Sequence, residues 1–519
     1  MTWPTSMPPN TRRRLAISFG IALCALLLVL LVTSIALGRP GGGQSYSGGS
    51  RSSSSRSSGG GGSSGGGGSG LFELVVWLLF AHPTIGIPLV IIIAVFFFGR
   101  TLFASKVTGW STGGGARQVA QIQDVEEEIQ SAPGVPRAAL DAIRTIDPEF
   151  SIVLFEDFVY LLYAEIQRAR SGKAASLAAF LSPTVVQSLH ADANVAEVRG
   201  IVIGAMRLVS FSGITEQGIL LELEFEANYV EAYRQGGERR FYVTDRLSLS
   251  RARAAKSRPP GRARILDCPN CGAPLQSVRG TQCAYCQQDV GGGRFDWNVG
   301  YLATVEKEPR GPLLTSDVQE TGTNDPTLVD PQATTRMQAL QQRDPSFAWA
   351  AFQNRVAHVF GELQAAWSGR EPARIRPYVS DNLFQSMVYW LDLYVQSHCR
   401  NMNDGARVLR IDLANALGDK IYDAITVRVF ATGKDYTISD DGKVLSGNRK
   451  RERAYSEYWT FIRGSQHKGP SRGDQNCPNC GALLNISMVG NCEYCQAKVT
   501  AGEFDWVLSR IEQDESYSG

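Results

Sequence analysis

The chain has 519 residues, a hydrophobic fraction of 43% and a formal net charge of +2. At roughly 100–200 residues per domain, this length predicts two to four domains, and the hydrophobic fraction is sufficient to build their cores. The near-neutral charge argues against nucleic-acid binding by the molecule as a whole, although local basic runs exist.

The first apolar segment covers residues 15–38 and contains no charged residue. It is long enough to cross a hydrocarbon core of about 30 Å. Arg12, Arg13 and Arg14 precede it, and Ser34 and Ala36 form a small-x-small cleavage pattern. Residues 1–38 are therefore either a first transmembrane helix or a secretory signal peptide.

Residues 39–70 consist almost entirely of glycine and serine. Such a segment buries too little surface to offset the entropy of ordering, so we expect a flexible, disordered tether. A second apolar segment follows at 71–105 and is interrupted by His82-Pro83 and by Pro88. It is either one kinked helix or an interfacial stretch before a spanning helix that starts at Pro83.

The basic residues that flank these segments predict their orientation. The N-terminal arginines lie before the first segment, whereas Arg100 lies near the end of the second segment and Lys106 directly follows it. Basic flanks remain in the cytoplasm, which places everything after residue 105 on the cytoplasmic side. The sequence therefore predicts an integral protein of a bacterial-type inner (plasma) membrane, with a connector helix over 106–146.

The soluble part contains an internal duplication. One copy begins "DPEFSIVLFEDF" at Asp147, and the other begins "DPSFAWAAFQNR" at Asp344. The first copy continues with a helix whose residues form one apolar stripe: Phe150, Leu154, Phe155, Phe158, Leu161, Leu162 and Ile166. A second helix is expected over about 174–190, with a break at Ser182-Pro183.

In both copies the spacing of apolar residues then changes to the two-residue period of a strand. The first copy offers "VRGIVIGAMRLVSF", "GILLELEFEANYVEAY" and "RRFYVTDRLSLSRA", and the second offers "ARVLRIDLANA", "KIYDAITVRVFATG" and "RAYSEYWTFIRG". In "LLELEFEANY" glutamates alternate with apolar residues, which predicts a sheet with one wet face. Two helices followed by antiparallel strands indicate an α+β domain with helices on one face of the sheet.

Several of these segments resemble the Tim44-like domain, which is named for the tether of the mitochondrial inner-membrane import motor. The resemblance lies in Asp-Pro-x-Phe, the aromatic helix, "SGKAASLAAFLSP", and "YWTFIR" followed later by "FDWVLSRI". It implies two cone-shaped α+β domains, related to nuclear transport factor two, at 147–309 and 344–512, with a linker over 310–343. It also implies membrane association and recruitment of partners in protein translocation.

Eight of the ten cysteines form two copies of one figure, C-x2-C-x11-C-x2-C. They are Cys268, Cys271, Cys283 and Cys286 within a zinc ribbon at 265–293, and Cys477, Cys480, Cys492 and Cys495 within another at 474–502. Gly272 and Gly481 each follow a second cysteine, where the chain must turn with positive φ. Close C-x-x-C pairs in a long chain favour metal binding in a reducing compartment.

Each figure predicts a tetrahedral four-sulfur site, which suits Zn²⁺ with bonds of about 2.3 Å. Because the protein fills all four positions, we expect two structural zinc ions rather than catalytic ones. Iron, as in rubredoxin, and disulfides are the alternatives. The resemblance to the Tim44-like domain, whose last two strands would form a hairpin, implies that each figure is inserted between those strands, so that Phe295-Asp296-Trp297 and Phe504-Asp505-Trp506 resume the sheet after the ribbon.

Two basic runs are candidates for contact with anionic lipid headgroups, to which each nearby cation contributes about 1 kcal/mol. The alternative is a solvated flank of a hairpin, and RNA binding is disfavoured because aromatic residues are not interleaved. The candidate residues are Arg251, Arg253, Lys256, Arg258, Arg262, Arg264, Arg449, Lys450, Arg451 and Arg453.

We expect a non-enzymatic, membrane-anchored protein that binds a protein segment or a lipid in its cone-like domains. The sequence has no Gly-rich phosphate loop, nucleophile elbow or His-Glu-x-x-His string. One alternative is an isomerase-like or hydratase-like pocket enzyme, which would need an inward-facing Asp or His in both copies. The other is a purely structural membrane scaffold.

Overall fold

A computed structural model describes residues 134–190, 194–309, 322–469, 476–514 and 516–519. The two apolar segments, the Gly/Ser tether and most of the connector lie outside these residues. Within the described ranges, no helix combines the length and the hydropathy needed to cross a bilayer. All the described residues belong to one compact unit.

The first half begins with helices. They are a 3-10 helix (Arg137–Thr145), α1 (Ile152–Ala169), a 3-10 turn (Ala174–Leu177) and α2 (Pro183–His190). Ser151 caps α1 by accepting a hydrogen bond from the amide of Leu154. The predicted apolar stripe is buried except at Leu161, which is half-buried. The predicted break at Ser182-Pro183 is confirmed, because α2 begins at the proline.

Four antiparallel strands follow in spatial order β1-β2-β3-β4. They are β1 (Val195–Ile214), β2 (Gly218–Tyr233), β3 (Glu238–Ala252) and β4 (Asn298–Glu308), with a short helix at Pro260–Ala263. The predicted strand "GILLELEFEANYVEAY" coincides with β2 at both ends. The first four-cysteine group lies between β3 and β4, as predicted, although the strand resumes one residue after Trp297.

The expectation of a wet face on β2 is wrong in part. Glu224 and Glu226 are each only 6% exposed. Arginines from the two neighbouring strands cover them, because Arg207 of β1 pairs with both glutamates and Arg246 of β3 lies 2.9 Å from Glu224. The alternating pattern correctly placed the glutamates on one face of β2, but ion pairs with neighbouring strands shield this face from water.

The second half repeats the order of the first. Its helices are α3 (Ala333–Arg343), α4 (Trp349–Gly369), a short helix (Pro372–Ile375), a 3-10 turn (Arg376–Tyr378) and α5 (Asp381–Gln396). Its strands are β5 (Cys399–Gly418), β6 (Tyr422–Ser439), β7 (Arg453–Gly464) and β8 (Val507–Gln513), with Val444–Gly447 paired to β6. The spatial order β8-β7-β6-β5 mirrors that of the first sheet, and the second cysteine group precedes β8.

Part of the segment predicted as a linker is ordered. Helix α3 lies within 310–343, and its side chains Met337 and Leu340 are buried in the second hydrophobic core. This end of the segment therefore belongs to the second half, whereas residues 310–321 lie outside the described ranges.

The aspartate of each Asp-Pro-x-Phe motif pairs with an arginine at the end of the third strand of its half. Asp147 lies 3.0 Å from Arg251. The amide of Ser257 donates a hydrogen bond to the same carboxylate. The guanidinium of Arg251 also stacks over the ring of Trp297 at 5.0 Å. The start of α1, the end of β3 and the residue before β4 are thereby joined.

The second half makes the same set of contacts. Arg463 donates to Asp344 at 3.0 Å, and the amide of Gly469 donates to that carboxylate at 3.2 Å. Arg463 stacks over Trp506 at 4.6 Å. Asp-Pro-x-Phe and Phe-Asp-Trp thus recur in the sequence for one structural reason. Together they form a buried ion pair whose arginine stacks on a tryptophan ring.

The two halves pack against each other through apolar and charged contacts. Val153 and Leu154 of α1 share a buried cluster with Tyr422, Ile462 and Val507 of the second sheet. Next to this cluster, Glu512 accepts hydrogen bonds from both terminal nitrogens of Arg137, and Arg510 pairs with Glu156. The side chains in these pairs are largely buried.

Candidate metal centres and the cleft between the halves

Each four-cysteine group is built from two tight turns. In the first turn, the amide of Gly272 donates to the carbonyl of Cys268 at 2.9 Å, and Gly272 has φ of 82°. In the second turn, the amide of Gln287 donates to the carbonyl of Cys283 at 2.8 Å, and Gln287 has φ of 58°. The predicted left-handed glycine is confirmed, but sequence reasoning missed the left-handed glutamine.

The second group repeats this geometry at Gly481 and Gln496, with φ of 76° and 60°. Both groups thus place a left-handed residue directly after the second cysteine of each C-x-x-C pair. This conformation folds the two thiols of a pair toward the same point. A glutamine follows the last cysteine in both copies of the figure. This repetition was the sequence signal that could have predicted a left-handed residue at these positions.

The sulfur atoms lie at the separations of a tetrahedral metal site. In the first group the Sγ of Cys268 lies 3.9 Å from that of Cys286, and the Sγ of Cys271 lies 3.8 Å from that of Cys283. A tetrahedral cage with Zn–S bonds of about 2.3 Å separates its sulfurs by about 3.8 Å. A disulfide would require about 2.05 Å. The first group could therefore hold one metal ion.

The second group has the same dimensions. The Sγ of Cys477 lies 3.8 Å from that of Cys495, and the Sγ of Cys480 lies 4.0 Å from that of Cys492. The burial pattern also repeats, with one thiol exposed and two buried in each group. All the described cysteines are free thiols, including the isolated Cys399.

An asparagine within each "CPNC" turn stabilises one thiolate. A hydrogen bond from the Asn270 side chain lowers the pKa of Cys286 to about 6. The equivalent Asn479 lowers the pKa of Cys495 to about 6, and its Nδ2 donates to that sulfur at 3.4 Å. In contrast, burial raises the pKa of Cys268 to about 12. Because metal ligands bind as thiolates, the asparagines support coordination.

Basic residues attach the first ribbon to its half. Arg258 lies 3.0 Å from Asp267, which precedes the first cysteine, and 2.7 Å from Asp296. Arg262 pairs with Asp267 at 3.1 Å and donates to the carbonyl of Cys268 at 3.0 Å. These side chains therefore brace the metal-binding turn against the end of the sheet.

This finding changes the interpretation of the first basic run. Arg251 is only 2% exposed, and the side chain of Arg258 is 6% exposed. Both are ion-paired inside the protein, which keeps them from reaching a lipid headgroup. Arg262 and Arg453 are half-buried, and the exposed candidates that stay a prediction are Arg253, Lys256, Arg264, Arg449, Lys450 and Arg451.

The second ribbon is attached to the start of α5. Asp381 pairs with Arg376 and lies 2.6 Å from Nζ of Lys498, which belongs to the ribbon. Arg376 also donates to the carbonyl of Met488 at 2.9 Å. Burial opposes the charge of Asp381, but hydrogen bonds from Lys498 and Arg376 lower its pKa.

Each half contains an inward-facing carboxylate six residues before the arginine of its buried ion pair. Asp245 accepts hydrogen bonds from Tyr163 at 2.7 Å, Gln167 at 2.8 Å and Thr304 at 2.6 Å, and burial raises its pKa. Both of its oxygens are thus engaged by protein groups. This arrangement satisfies a buried acid within the core.

Glu457 is the corresponding residue of the second half and is only 1% exposed. It accepts hydrogen bonds from Trp459 at 3.0 Å and from Gln513 at 3.4 Å. The inward-facing Asp or His expected of an enzyme is thus found in the first half, whereas the second half has a glutamate at the corresponding position. The hydrogen bonds around both acids come from core side chains, which also suits a structural role.

A cleft of about 260 Å³ lies between the two halves. Its walls come from α1 and β1 of the first half and from α5 and β8 of the second. At one end, Asp157 accepts hydrogen bonds from Arg264 at 2.7 Å and from Asn382 at 3.1 Å. The cleft exists only because the halves pack together, so no local sequence pattern could predict it.

Residues 333–471 match the family model of the Tim44-like domain. The matched segment begins at the first residue of α3 and ends before Cys477, so it covers the helices and the first three main strands of the second half. The first half lies outside the match, and its likeness to the second half is the shared order of elements. A comparison with curated proteins gave no match to this chain.

Proposed function

We propose that this protein is a membrane-anchored, non-enzymatic tether that binds a protein segment or a lipid on its cytoplasmic side. The observation that carries the proposal is the match of residues 333–471 to the Tim44-like domain. The match relates the second half to membrane-associated protein-import machinery. The first half is a second copy of the same fold in this proposal, supported by its element order and its buried Asp–Arg pair.

In the proposal each four-cysteine group holds one structural Zn²⁺. The sulfur separations of 3.8–4.0 Å in both groups support this assignment. A ribbon of this size has little apolar core of its own, so the metal supplies its folding energy, about 10–16 kcal/mol in zinc-finger peptides. Each ion then fixes an otherwise unstable ribbon at one end of a sheet.

Membrane anchoring comes from the apolar residues 15–38 and 71–100, with the Gly/Ser segment between them outside the cytoplasm. The protein would then be an integral protein of a bacterial-type inner membrane. The C-x-x-C pairs of both cysteine groups support a cytoplasmic position for these groups, because metal binding needs reduced thiols and a reducing compartment supplies them.

One observation favours the enzyme alternative. Asp245 is a buried acid whose pKa is raised, as in many general acid–base catalysts. A catalytic acid must reach a reacting group, however, whereas both oxygens of Asp245 are held by Tyr163, Gln167 and Thr304. We therefore prefer a binding function.

Photocrosslinking in native membranes tests the proposal. The full chain would carry a benzophenone amino acid at an exposed position, such as Tyr285 or Tyr494, and a variant labelled at the buried Trp459 serves as the control. We expect the protein to resist extraction by carbonate and the exposed positions to capture a protein or a lipid. Recovery of self-adducts alone, or complete release by carbonate, would contradict the tethering function.

A further inference from the structure

The cleft between the halves meets two strands along their edges. Residues 201–204 of β1 and 509–511 of β8 line it without interruption. Moreover, β1 and β8 are both terminal strands of their sheets. The cleft is therefore bordered by two sheet edges.

The described residues provide no backbone partner for the β1 edge where it borders the cleft. Among the described residues, the backbone bond on this side of β1 nearest to the cleft runs from the amide of Val135 to the carbonyl of Leu208. On β8, the amide of Ser380 bonds to Leu508, and its hydroxyl bonds to the carbonyl of Ser509 at 3.3 Å. An open edge of this kind is a template for one more strand.

The charged groups of the cleft are already paired. Glu156 pairs with Arg510, and Asp157 pairs with Arg264. These pairs leave little net field to attract a charged ligand. The remaining walls mix polar and apolar groups, with Asn382, Gln385 and Ser509 beside Leu161, Ile203 and Leu383. Charge and polarity together suit an uncharged occupant that carries both polar and apolar side chains.

Among the described residues, two buried polar groups of the wall have no hydrogen-bond partner, Oγ of Ser386 and one terminal nitrogen of Arg510. Ser386 lies on α5 and is only 6% exposed, and its Oγ makes no hydrogen bond to any described group. Buried hydroxyls in proteins almost always have a partner. A ligand with amide groups, such as a peptide backbone, would supply one at this position.

We propose that the cleft binds a short, uncharged, extended segment of a partner protein, which adds a strand to β1 at residues 201–204. The inference rests on the proposed tethering function and specifies where the protein segment binds. It places that site between the halves rather than inside either cone. Register shifts on both sides of Val202 and Ile203 limit the regular part of this edge, so the added strand is short.

The test uses a fluorescein-labelled, blocked hexapeptide of alternating valine and threonine, with the full-length protein. The control peptide has the same side chains, but alternate backbone nitrogens are methylated, which removes the donors that a strand needs. We expect saturable binding of the first peptide and roughly tenfold weaker binding of the second. Hydrogen exchange at residues 201–204 should slow when the first peptide is added.

Protein variants locate the site. Ile203→Lys places a charge at the half-buried edge and should weaken peptide binding by about tenfold or more, and Ser386→Ala by a few-fold. Leu409→Lys is the matched control, because Leu409 is 58% exposed on β5, the far edge strand of the second sheet. It should leave the affinity unchanged. Circular dichroism verifies that each variant is folded.

Each contrary outcome has a definite meaning. Equal binding of both peptides, or equal binding by Ile203→Lys and the native chain, would overturn strand addition at β1. Binding accompanied by protection around Asp245 or Glu457 would overturn the inference while leaving the tethering function intact. Absence of saturable binding also overturns the inference, and the tethering function fails with it only if membrane crosslinking recovers no partner.

Discussion

Asp147 lies 3.0 Å from Arg251, and both side chains are only 1% exposed. Asp344 and Arg463 form the equivalent pair in the second half, at the same distance. Each pair joins an aspartate five residues before the first residue of the long helix to the end of the third strand. The conserved geometry within one chain explains why both halves keep Asp-Pro-x-Phe at the start and Phe-Asp-Trp near the end.

Replacement of Asp344 by asparagine should destabilise the second half. The change leaves Arg463 buried without its counter-ion, which typically costs about 3–5 kcal/mol. Urea denaturation followed by tryptophan fluorescence would measure the loss. Glu149→Gln is the matched control, because Glu149 pairs with Lys420 where both side chains are about 60% exposed, and such pairs are worth about 1 kcal/mol or less. Equal effects of the two substitutions would contradict the structural role of the buried pair.

The pKa of Asp344 should also make the stability of the folded protein depend on pH. Burial opposes its charge, but hydrogen bonds from Ser346, Gly469 and Arg463 lower the pKa of Asp344 below its usual range. A lowered pKa in the folded state adds stability above the unfolded pKa of about 3.9, and this stability is lost as pH falls through the folded pKa. The native protein should therefore lose more stability between about pH 5 and pH 2 than Asp344→Asn. Parallel pH profiles would exclude this linkage.

Substitution of Asn479 by alanine should weaken metal binding in the second ribbon. Without its hydrogen bond the pKa of Cys495 rises, and loss of such partners typically costs 10–100-fold in metal affinity. Competition with a chromophoric chelator would measure the affinity, and the deficit should grow as pH is lowered from 7.5 to 6. Asn485→Ala is the control, because Asn485 is in the same ribbon but bonds to Glu493. Identical affinities for the two variants would refute this role.

The apolar contact between the halves should contribute to overall stability. Leu154→Ala removes a side chain that is 5% exposed and packs in the cluster shared with the second sheet. A buried leucine replaced by alanine typically costs about 2–5 kcal/mol. Leu220→Ala, at a position 49% exposed on β2, should cost about 0.5 kcal/mol or less. A similar midpoint of unfolding for both variants would show that the halves do not stabilise each other.

The sequence predicted the features that depend on local pattern. Strand β2 and strand β7 were delimited at both ends because alternation is a local property. The cysteine groups followed from fixed spacing and from repetition, and their position between the last two strands followed from the resemblance to the Tim44-like domain. The glycines with positive φ were also predictable, because only the turn geometry of a C-x-x-C pair was needed.

Features that depend on distant contacts were missed. Arg251 and Arg258 look like members of a solvated basic run, since nothing nearby in the sequence reveals Asp147 or Asp296 as their partners. The prediction of a solvent-exposed face on β2 was wrong in part for the same reason, because arginines on other strands cover Glu224. The cleft depends on contacts such as Asp157 with Asn382, which are 225 residues apart.

The central claim is that two four-thiolate metal sites brace a duplicated fold. X-ray absorption at the zinc edge, with metal content measured on the purified full-length chain, tests it most directly. We expect two zinc ions per chain, one for each cysteine group, each with four sulfur ligands at about 2.3 Å. Cys480→Ser should lower the content to one ion, and Cys399→Ser, outside both groups, should not change it. A chain without bound metal, or with a mixed nitrogen and oxygen shell, would contradict the account.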